Sequence, residues 1–253
     1  MFHIFNFFVS YMVVSSILKI LLWEFLNPFL LKIRRKKRIE IKDGIRGINL
    51  GCGFDNPENW LGLDGGASLW LIKKSPKFLL RRFFKNFNMS ESIEFDEYVQ
   101  KVRSVKFVYY DIRFGLPFKD SSVPNVFSSH FIEHLTRKDT QKLLGECFRV
   151  MKAKGIIRIV VPSLDEQVES ITRALEEYNK GRIEPIQEYV TRKESGYLDS
   201  FSGHKWMYNF KEMSEMLAEA GFSDIREYDF KTGRIPDVEK LDCREGLIVE
   251  AIK

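Results

Sequence analysis

Two glycines and an acidic residue follow the first two strands that the sequence predicts, in an arrangement suited to binding a nucleoside. Gly51 and Gly53 come directly after an apolar run, and glycine lets backbone N–H groups approach a ligand without interference from a Cβ atom. Asp64 ends the next predicted strand, where a carboxylate can accept hydrogen bonds from both hydroxyls of a ribose. Glycine turns of this kind often serve only tight packing, so the pattern needs support from the later strand ends.

A second candidate motif is His130-Phe-Ile-Glu-His134, which has the H-x-x-E-H spacing of an inverted zinc-peptidase site, with Glu133 as its base. Such a site needs both histidines on one helical face and a distant third ligand, for which Glu212 is a candidate. Here His130 ends a predicted strand, so the helical context is missing. The motif is therefore expected to be incidental, and no metal site is predicted.

Alternating strands and helices position these residues. Apolar runs predict strands at residues 45–50, 60–63, 105–110, 125–129, 156–161, 225–230 and 247–252. Helices are predicted from near Phe131, over 138–152, from Ser163 to about Asn179 and from Asn209 to Gly221. This alternation is typical of an α/β protein with a doubly wound, mostly parallel sheet. Only 11 residues lead from Gly53 to Asp64, which is too short for a helix between the first two strands.

The charge of the chain is unevenly distributed. Its 253 residues carry 40 Lys and Arg against 35 Asp and Glu, a formal net charge of +5. Residues 1–43 hold eight of the basic and three of the acidic residues, so residues 44–253 are balanced, with 32 of each sign. Binding to nucleic acid usually requires a net basic surface, so nucleic acid is not expected as a partner. A composition near globular averages also excludes a disordered chain or a polytopic membrane protein.

The predicted domains are an N-terminal segment at residues 1–43 and an α/β domain at 44–253. The run from Met1 to Leu31 is apolar and has no charged residue before Lys19, and a basic cluster at 32–38 follows it. Such a cluster is held on the cytoplasmic side and is attracted to anionic lipid. The segment is therefore predicted to be a hydrophobic helix that associates with a membrane. The alternative is a long helix packed on its own domain or on a partner subunit.

The cysteines indicate the compartment. Cys52, Cys147 and Cys243 are far apart and form no C-x-x-C pair, which argues against a disulfide framework and suits a reducing cytosol. A cytoplasmic location is expected, with association to the cytoplasmic face of a membrane.

Five stretches in order carry a resemblance to a known family. They are INLGCG at 48–53, GLD at 62–64, DIRFGLPFKDSSVPNVFSSHFIEHL at 111–135, LLGECFRVMKAKGIIRIVVPSL at 143–164 and GHKWMYNFKEMSEMLAEAGF at 203–222. Together they resemble a class I S-adenosylmethionine-dependent methyltransferase. Within that class the chain is most similar to the branch found among bacterial sugar and surface-polysaccharide biosynthesis proteins. The resemblance implies a Rossmann-like sheet of seven strands, and S-adenosylmethionine as the cofactor.

The resemblance also assigns residues to that cofactor. They are Gly51, Cys52, Gly53, Asp64, Asp111, Ile112, Ser129 and His130. Gly51, Cys52 and Gly53 would lie against the methionine part, and Asp64 would bind the ribose hydroxyls. Asp111 would accept from the adenine amino group, and Ile112 would pack on the ring. Ser129 and His130 would face the methyl-transfer centre.

The family's chemistry indicates which histidines act. Methyl transfer from a sulfonium is an in-line displacement, so the enzyme mainly aligns donor and acceptor. A hydroxyl acceptor also needs a base with a pKa near neutrality, which histidine supplies. His130 and His204 are the predicted catalytic residues, whereas His134 is expected to be structural. The predicted acceptor is a small molecule or saccharide, lipid-linked if the membrane prediction holds. The alternatives are a non-catalytic cofactor-binding module of the same fold and a zinc hydrolase.

The stretch at about 65–104 is long for this family. On a helix, Lys77, Arg81 and Lys85 share one face, and the opposite face is mostly apolar. Basic amphipathic helices of this kind lie on membrane surfaces or bind acidic partners. The plainer alternative is a helix that covers the sheet. Residues 71–87 are therefore a second candidate membrane surface.

Overall fold

A single sheet organises the protein in the computed structural model, which describes residues 38–78, 80, 95–183 and 203–253. Its strands are β1 (Gly47–Leu50), β2 (Trp60–Asp64), β3 (Phe107–Tyr109), β4 (Val126–Ser129), β5 (Ile156–Val161), β6 (Ser223–Glu227) and β7 (Leu247–Ile252). Their order is β3-β2-β1-β4-β5-β7-β6. The first five strands are parallel, and β7 runs antiparallel between β5 and β6. The predicted doubly wound, mostly parallel, seven-stranded sheet is confirmed.

The helices follow the strands in the alternation that the sequence predicts. They are α1 (Ala67–Lys74), α2 (Phe95–Ser104), α3 (Arg137–Val150), α4 (Leu164–Asn179), α5 (Phe210–Glu219) and α6 (Val238–Leu241). The capping prediction holds for α4 and α5, because the side chains of Ser163 and Asn209 accept from the backbone N–H groups of Glu166 and Glu212. These hydrogen bonds satisfy donors that the first turn of a helix leaves without partners.

The helix predicted to begin near Phe131 is not formed there. Instead a single 3-10 turn spans Ile132–His134, and α3 begins at Arg137. Leu135 is extended, which ends the turn, and the Thr136 side chain then accepts from the N–H of Asp139 to start the new helix. The predicted strand at 225–230 is also shifted and lies at Ser223–Glu227.

The connection between β1 and β2 contains no helix, as its length predicts. The two strands are parallel, and Leu50 is paired with Leu63. Asparagine side chains hold the connecting loop, because Asn49 donates to the carbonyl oxygen of Asp55 at 3.2 Å and Asn56 donates to that of Trp60 at 2.6 Å. Side-chain hydrogen bonds thus replace the helix that usually joins parallel strands.

Apolar side chains cover both faces of the sheet. Because successive residues of a strand point to opposite faces, Ile157, Ile159 and Val161 of β5 join the main core with residues of α3 and α5. Val160 lies on the other face, in a second cluster. The members of that cluster are Trp60, Phe127, Val160, Ile235, Leu241 and Ile248. A third cluster joins α1 and α2 beside β3.

A buried ion-pair network lies on the second face. Arg158 donates to both carboxylate oxygens of Asp242, at 2.9 and 2.5 Å, and to Glu250 at 2.8 Å. All three side chains have zero exposure. The carboxylates also accept from the backbone N–H groups of Lys231 and Arg234, both at 2.9 Å. The network therefore fastens the segment after β6 to the sheet.

The segments predicted to meet a membrane are mostly outside the described residues. Residues 1–37, 79 and 81–94 belong to this part, which includes residues 79 and 81–87 of the second predicted surface. Of its described residues, Leu80 is buried and Phe78 is 70% exposed, while Lys77 forms an ion pair with Asp96 at 3.2 Å. Among the helices within the described ranges, none combines the length and apolar character that a membrane span requires.

Replacing Arg158 with Met is expected to lower the free energy of unfolding by about 3–5 kcal/mol, because it leaves Asp242 buried without a cation. Glu250 would keep only the longer contact with Arg234 at 3.5 Å. The matched control is Arg226→Met, which breaks an exposed pair with Asp224 and is expected to cost at most about 1 kcal/mol. Urea denaturation of the full chain measures both. Equal costs in the two variants would contradict a structural role for the network.

Candidate functional site

The carboxyl ends of three adjacent parallel strands meet at one edge of the sheet. Leu50 near the end of β1 is paired with Leu63 of β2 on one side and with Ser128 of β4 on the other. The order of the strands reverses between β1 and β4, and ligands of doubly wound sheets bind in the crevice at such a reversal. The pairing therefore brings the glycine loop, the end of β2 and the end of β4 into one site.

The two predicted glycines do different things. Gly51 has φ +65°, and a Cβ there would lie 2.4 Å from the ring of Phe131, so this glycine allows close packing. Gly53 has φ +53°, but a Cβ there would meet no atom within 4 Å. Gly53 thus leaves open space on the loop where a ligand can approach the backbone.

Cys52 lies between these glycines, and its side chain packs rather than faces a ligand. It is buried, and its Sγ lies so close to β2 that a Cβ at Gly62 would approach it to 2.4 Å. Burial also raises the pKa of the Cys52 thiol, which keeps it protonated and unreactive. Only the backbone of Cys52 can take part in the predicted cofactor loop.

Asp64 organises the loop from the end of β2. Its Oδ2 accepts from the Gly53 N–H at 3.0 Å and its Oδ1 accepts from the Gly66 N–H at 2.6 Å. Burial raises the pKa of this carboxyl, whereas the two backbone hydrogen bonds act in the opposite direction. Each carboxylate oxygen can accept a second hydrogen bond. Asp64 can therefore hold the glycine loop and still accept from the hydroxyls of a ribose.

The predicted adenine site follows β3. Asp111 and Ile112 are both buried, and Ile112 belongs to the main core, which leaves little of its side chain for a ring. Phe114 ends a 3-10 turn that spans Ile112–Phe114. It is 42% exposed and is the larger apolar surface there. No sequence pattern distinguishes Phe114, because a pattern does not show which way a turn residue points.

An ion pair from α3 anchors the segment that carries these residues. Arg149 donates to both oxygens of Glu146 at 2.7 Å and to the carbonyl oxygens of Leu116 and Phe118. Glu146 in turn accepts from the Leu116 N–H at 2.8 Å. The Arg149 guanidinium holds the pKa of the Glu146 carboxyl below its usual value, so the pair stays ionised near neutral pH.

The end of β4 carries two predicted site residues. The buried Oγ of Ser129 has no hydrogen-bond partner. His130 adopts φ +49°, and its backbone N–H donates to the carbonyl oxygen of Val160 at 2.9 Å. Its ring Nε2 lies 3.2 Å from the carbonyl oxygen of Glu245. Because a carbonyl oxygen only accepts, Nε2 carries the proton, and in the neutral ring the other nitrogen, Nδ1, carries a lone pair.

Glu133 brings the second predicted histidine to this site. Its backbone carbonyl oxygen accepts from the N–H groups of Lys205 and Trp206, at 2.7 and 3.2 Å. As a result, His204 Nε2 lies 4.0 Å from Glu133 Oε1, and the rings of His204 and His134 are 5.2 Å apart, edge to face. The side chain of His204 is 45% exposed, whereas that of His130 is 17% exposed. Both predicted catalytic histidines thus flank one carboxylate.

The carboxylate of Glu133 has an unusual environment. It is buried, and neither of its oxygens has a hydrogen-bond partner. Burial raises the pKa of Glu133 to about 7 and lowers that of His130. The lone pair of His130 Nδ1 faces Glu133 Oε1 at 3.5 Å, so a proton or another cation is needed at this contact. Sequence reasoning considered Glu133 only as part of the zinc motif.

The zinc-hydrolase arrangement that the motif suggests is not formed. His130 is outside any helix, and the proposed third ligand, Glu212, accepts from Arg137 at 2.8 Å and from the Trp206 indole at 3.1 Å. Instead, Glu133, His134 and His204 each offer a ligand atom, and these atoms lie within 4.8 Å of one another. His134, which was expected to be structural, thus lies in a cluster with Glu133 and His204.

Part of the chain is similar to known methyltransferases. Residues 48–159, which run from β1 into β5, match the family model described as "Methyltransferase domain". A curated protein of Mycolicibacterium smegmatis, described as a probable S-adenosylmethionine-dependent methyltransferase, is 28% identical over 164 residues. That alignment covers 63% of this chain and 52% of the relative, so the chain spans about half the relative's length. These matches support a methyltransferase domain with S-adenosylmethionine as its cofactor.

Solved structures that are similar to this chain include two methyltransferases. An S-adenosylmethionine-dependent methyltransferase of Archaeoglobus fulgidus has 17% identity and a TM-score of 0.45, with 91% of this chain and 94% of that chain covered. Phosphoethanolamine N-methyltransferase 2 of Haemonchus contortus, in complex with S-adenosylmethionine, has 15% identity and a TM-score of 0.42, with 91% and 52% covered. The strand order of the sheet defines the fold.

Replacing Gly53 with Ala is expected to weaken S-adenosylmethionine binding by at least about tenfold, equivalent to about 1.4 kcal/mol, because the new methyl group enters the open side of the loop. The cost to folding is expected to be only the backbone strain of about 1–2 kcal/mol. Gly51→Ala is the contrasting variant, since its methyl group would meet the Phe131 ring and destabilise the fold further. Calorimetry and thermal unfolding separate the two effects. Unchanged affinity in a folded Gly53→Ala variant would contradict the assignment of the loop.

Proposed function

We propose that this protein is an S-adenosylmethionine-dependent methyltransferase that methylates an oxygen, or less readily a nitrogen, of a small-molecule or saccharide acceptor. The observation that carries the proposal is the position of two different groups at one edge of the sheet. The glycine loop and Asp64 lie at the ends of β1 and β2. His130 and Glu133 follow β4, and His204 lies beside Glu133. One group suits a nucleoside and the other suits proton removal.

The residues of the first group fit the cofactor. Gly53 leaves room for a ligand against the backbone, and Asp64 retains lone pairs for two ribose hydroxyls. Asp111, which follows the neighbouring strand β3, is proposed to accept from the adenine amino group, with Phe114 beside the ring. When bound, S-adenosylmethionine supplies an electrophilic methyl group on a sulfonium. The protein's own task is then to hold the acceptor atom in line with that group.

The residues of the second group are proposed to handle the acceptor and its proton. His204 is the more exposed of the two predicted bases and is therefore the better placed to meet an acceptor hydroxyl. His130 donates through Nε2 to the Glu245 carbonyl and faces Glu133 through Nδ1. Its role is accordingly to position Glu133 and the end of β4, with Ser129 beside the methyl-transfer centre.

The acceptor class follows from charge and resemblance. Residues 44–253 have no net charge, which disfavours nucleic acid, and the sequence is similar to methyltransferases of sugar and surface-polysaccharide biosynthesis. A saccharide hydroxyl, free or lipid-linked, is therefore the proposed acceptor. A non-catalytic cofactor-binding module is the second candidate, since a fold can be kept without its chemistry.

His204→Ala is expected to abolish methyl transfer while the affinity for S-adenosylmethionine stays within about tenfold, roughly 1.4 kcal/mol. The reason is that His204 lies on the acceptor side, away from the loop that holds the cofactor. Calorimetry with S-adenosylmethionine and S-adenosylhomocysteine measures binding. Incorporation of the labelled methyl group into components of membrane and soluble extracts measures turnover.

Lys205→Ala is the matched control, because Lys205 is the exposed neighbour and contributes only its backbone N–H to Glu133. Retained turnover in His204→Ala would remove His204 as the base. Binding of the cofactor without labelling of any extract would favour the non-catalytic module. The absence of binding to either cofactor form would contradict the proposed function.

Residues 1–43 are proposed to bring the domain to the cytoplasmic face of a membrane, with residues 71–87 as a second contact. The support is the apolar run to Leu31 followed by seven residues, 32–38, of which six are basic. Basic residues near an anionic surface contribute about 1 kcal/mol each. A membrane-bound enzyme would meet lipid-linked saccharides in two dimensions, which suits the proposed acceptor.

Changing Arg34, Arg35, Lys36 and Lys37 to Gln in the full chain is expected to reduce binding to anionic vesicles by at least about tenfold, since roughly 1 kcal/mol is lost for each charge near the surface. Co-sedimentation with vesicles measures the effect, and purely zwitterionic vesicles provide the control. Equal binding of both chains to anionic vesicles would rule out an electrostatic role for this cluster.

A further inference from the structure

We propose that Glu133, His134 and His204 bind a divalent transition-metal cation, of which zinc is the best match, on the acceptor side of the site. Their ligand atoms lie within 4.8 Å of one another. Binding of the cation is independent of the proposed function, and only its catalytic role rests on that function.

Burial of unpaired polar atoms is the first argument. Both carboxylate oxygens of Glu133 and the Nδ1 atom of His134 are buried and have no hydrogen-bond partner. A buried acceptor or donor without a partner costs about 1–3 kcal/mol, and more when it is charged. A single cation coordinated by these residues would satisfy the carboxylate and the imidazole at once.

The ligand chemistry is the second argument. Two imidazoles with one carboxylate form a common set for zinc and for other first-row divalent cations that keep open coordination positions. A tetrahedral ion with bonds of about 2.1 Å needs ligand atoms about 3.4 Å apart. The Nε2 of His204 is 4.0 Å from Glu133 Oε1, so small side-chain rotations suffice. The exposure of His204 leaves the remaining positions open to solvent or to an acceptor.

The support around these residues is the third argument. The backbone carbonyl of Glu133 accepts from Lys205 and Trp206, which fixes the segment carrying His204 against the 3-10 turn. Further along, Tyr208 donates its hydroxyl to Thr140 of α3 at 2.9 Å and its carbonyl accepts from the Leu164 N–H at 2.9 Å. These hydrogen bonds hold the segment that follows His204 against the rest of the fold.

The cation would act on the acceptor. A hydroxyl oxygen bound to a divalent cation loses its proton to water more readily, because the cation stabilises the negative charge. A lone pair of that oxygen then forms the bond to the methyl carbon. The carbon–sulfur bond breaks, its electron pair stays on sulfur, and the products are the methyl ether and neutral S-adenosylhomocysteine. In this scheme His204 is a metal ligand in place of the base assigned to it above, and its loss is again expected to abolish turnover.

The test uses the untagged full chain, stripped with chelator and titrated with Zn²⁺, and in parallel with Co²⁺, whose visible absorption reports tetrahedral nitrogen and oxygen ligands. One equivalent of bound metal is expected by calorimetry and elemental analysis. Loss of outer-shell partners alone costs about 10–100-fold in affinity, so His204→Ala and Glu133→Gln are each expected to cost at least about 100-fold.

Two controls make the test specific. Glu212→Gln removes a neighbouring carboxylate that is engaged by Arg137 and Trp206, and Cys243→Ser removes an exposed thiol; both should bind metal as the wild type does. His204 is partly exposed, so His204→Ala keeps the test valid if Glu133→Gln does not fold. Failure to bind stoichiometric metal, or unchanged affinity in His204→Ala, would overturn the proposal. Calorimetry with S-adenosylmethionine on the metal-free chain tests the proposed function separately.

Discussion

The parallel pairing of β1 with β2 on one side and with β4 on the other is the constraint on which the site depends. Because Leu50 is in register with both Leu63 and Ser128, the residues that follow the three strands must meet at one edge. The short connection between β1 and β2 tightens this further. Without a helix in that connection, the Asp64 carboxylate bonds directly to the Gly53 N–H and fixes the loop. The part of the site that is proposed to bind a nucleoside is therefore built from backbone geometry and one carboxylate.

The acceptor side depends on a different kind of contact. His130, Glu133 and His134 are close in sequence, but His204 comes about seventy residues later. The hydrogen bonds from Lys205 and Trp206 to the Glu133 carbonyl bring it back. The family match ends at residue 159, so this later segment lies beyond the part of the chain that the family model covers.

Sequence patterns predicted the fold well because hydrophobic periodicity and glycine positions report local constraints. The doubly wound, mostly parallel sheet, the two capped helices and the missing first helix follow from the alternation of apolar runs, the cap residues and a count of 11 residues between Gly53 and Asp64. The role of Glu133 could not be predicted in this way. Its burial results from packing between the turn at Ile132–His134 and the segment at 203–208, and no periodicity reports a contact over that separation. The same holds for Ile112, whose burial depends on the tertiary core.

Two buried acidic clusters in the same chain show why the state of Glu133 points to function. Asp242 and Glu250 are fully buried, yet Arg158 and backbone N–H groups satisfy them, so they serve stability. Glu133 is equally buried, but neither of its carboxylate oxygens has a hydrogen-bond partner, and the rings of His130 and His204 lie 3.5 and 4.0 Å from Oε1. A protein that pairs its structural carboxylates so completely would gain stability by pairing this one too. Leaving it unpaired has a cost, and such a cost is usually retained where a proton, a cation or a substrate supplies the missing partner.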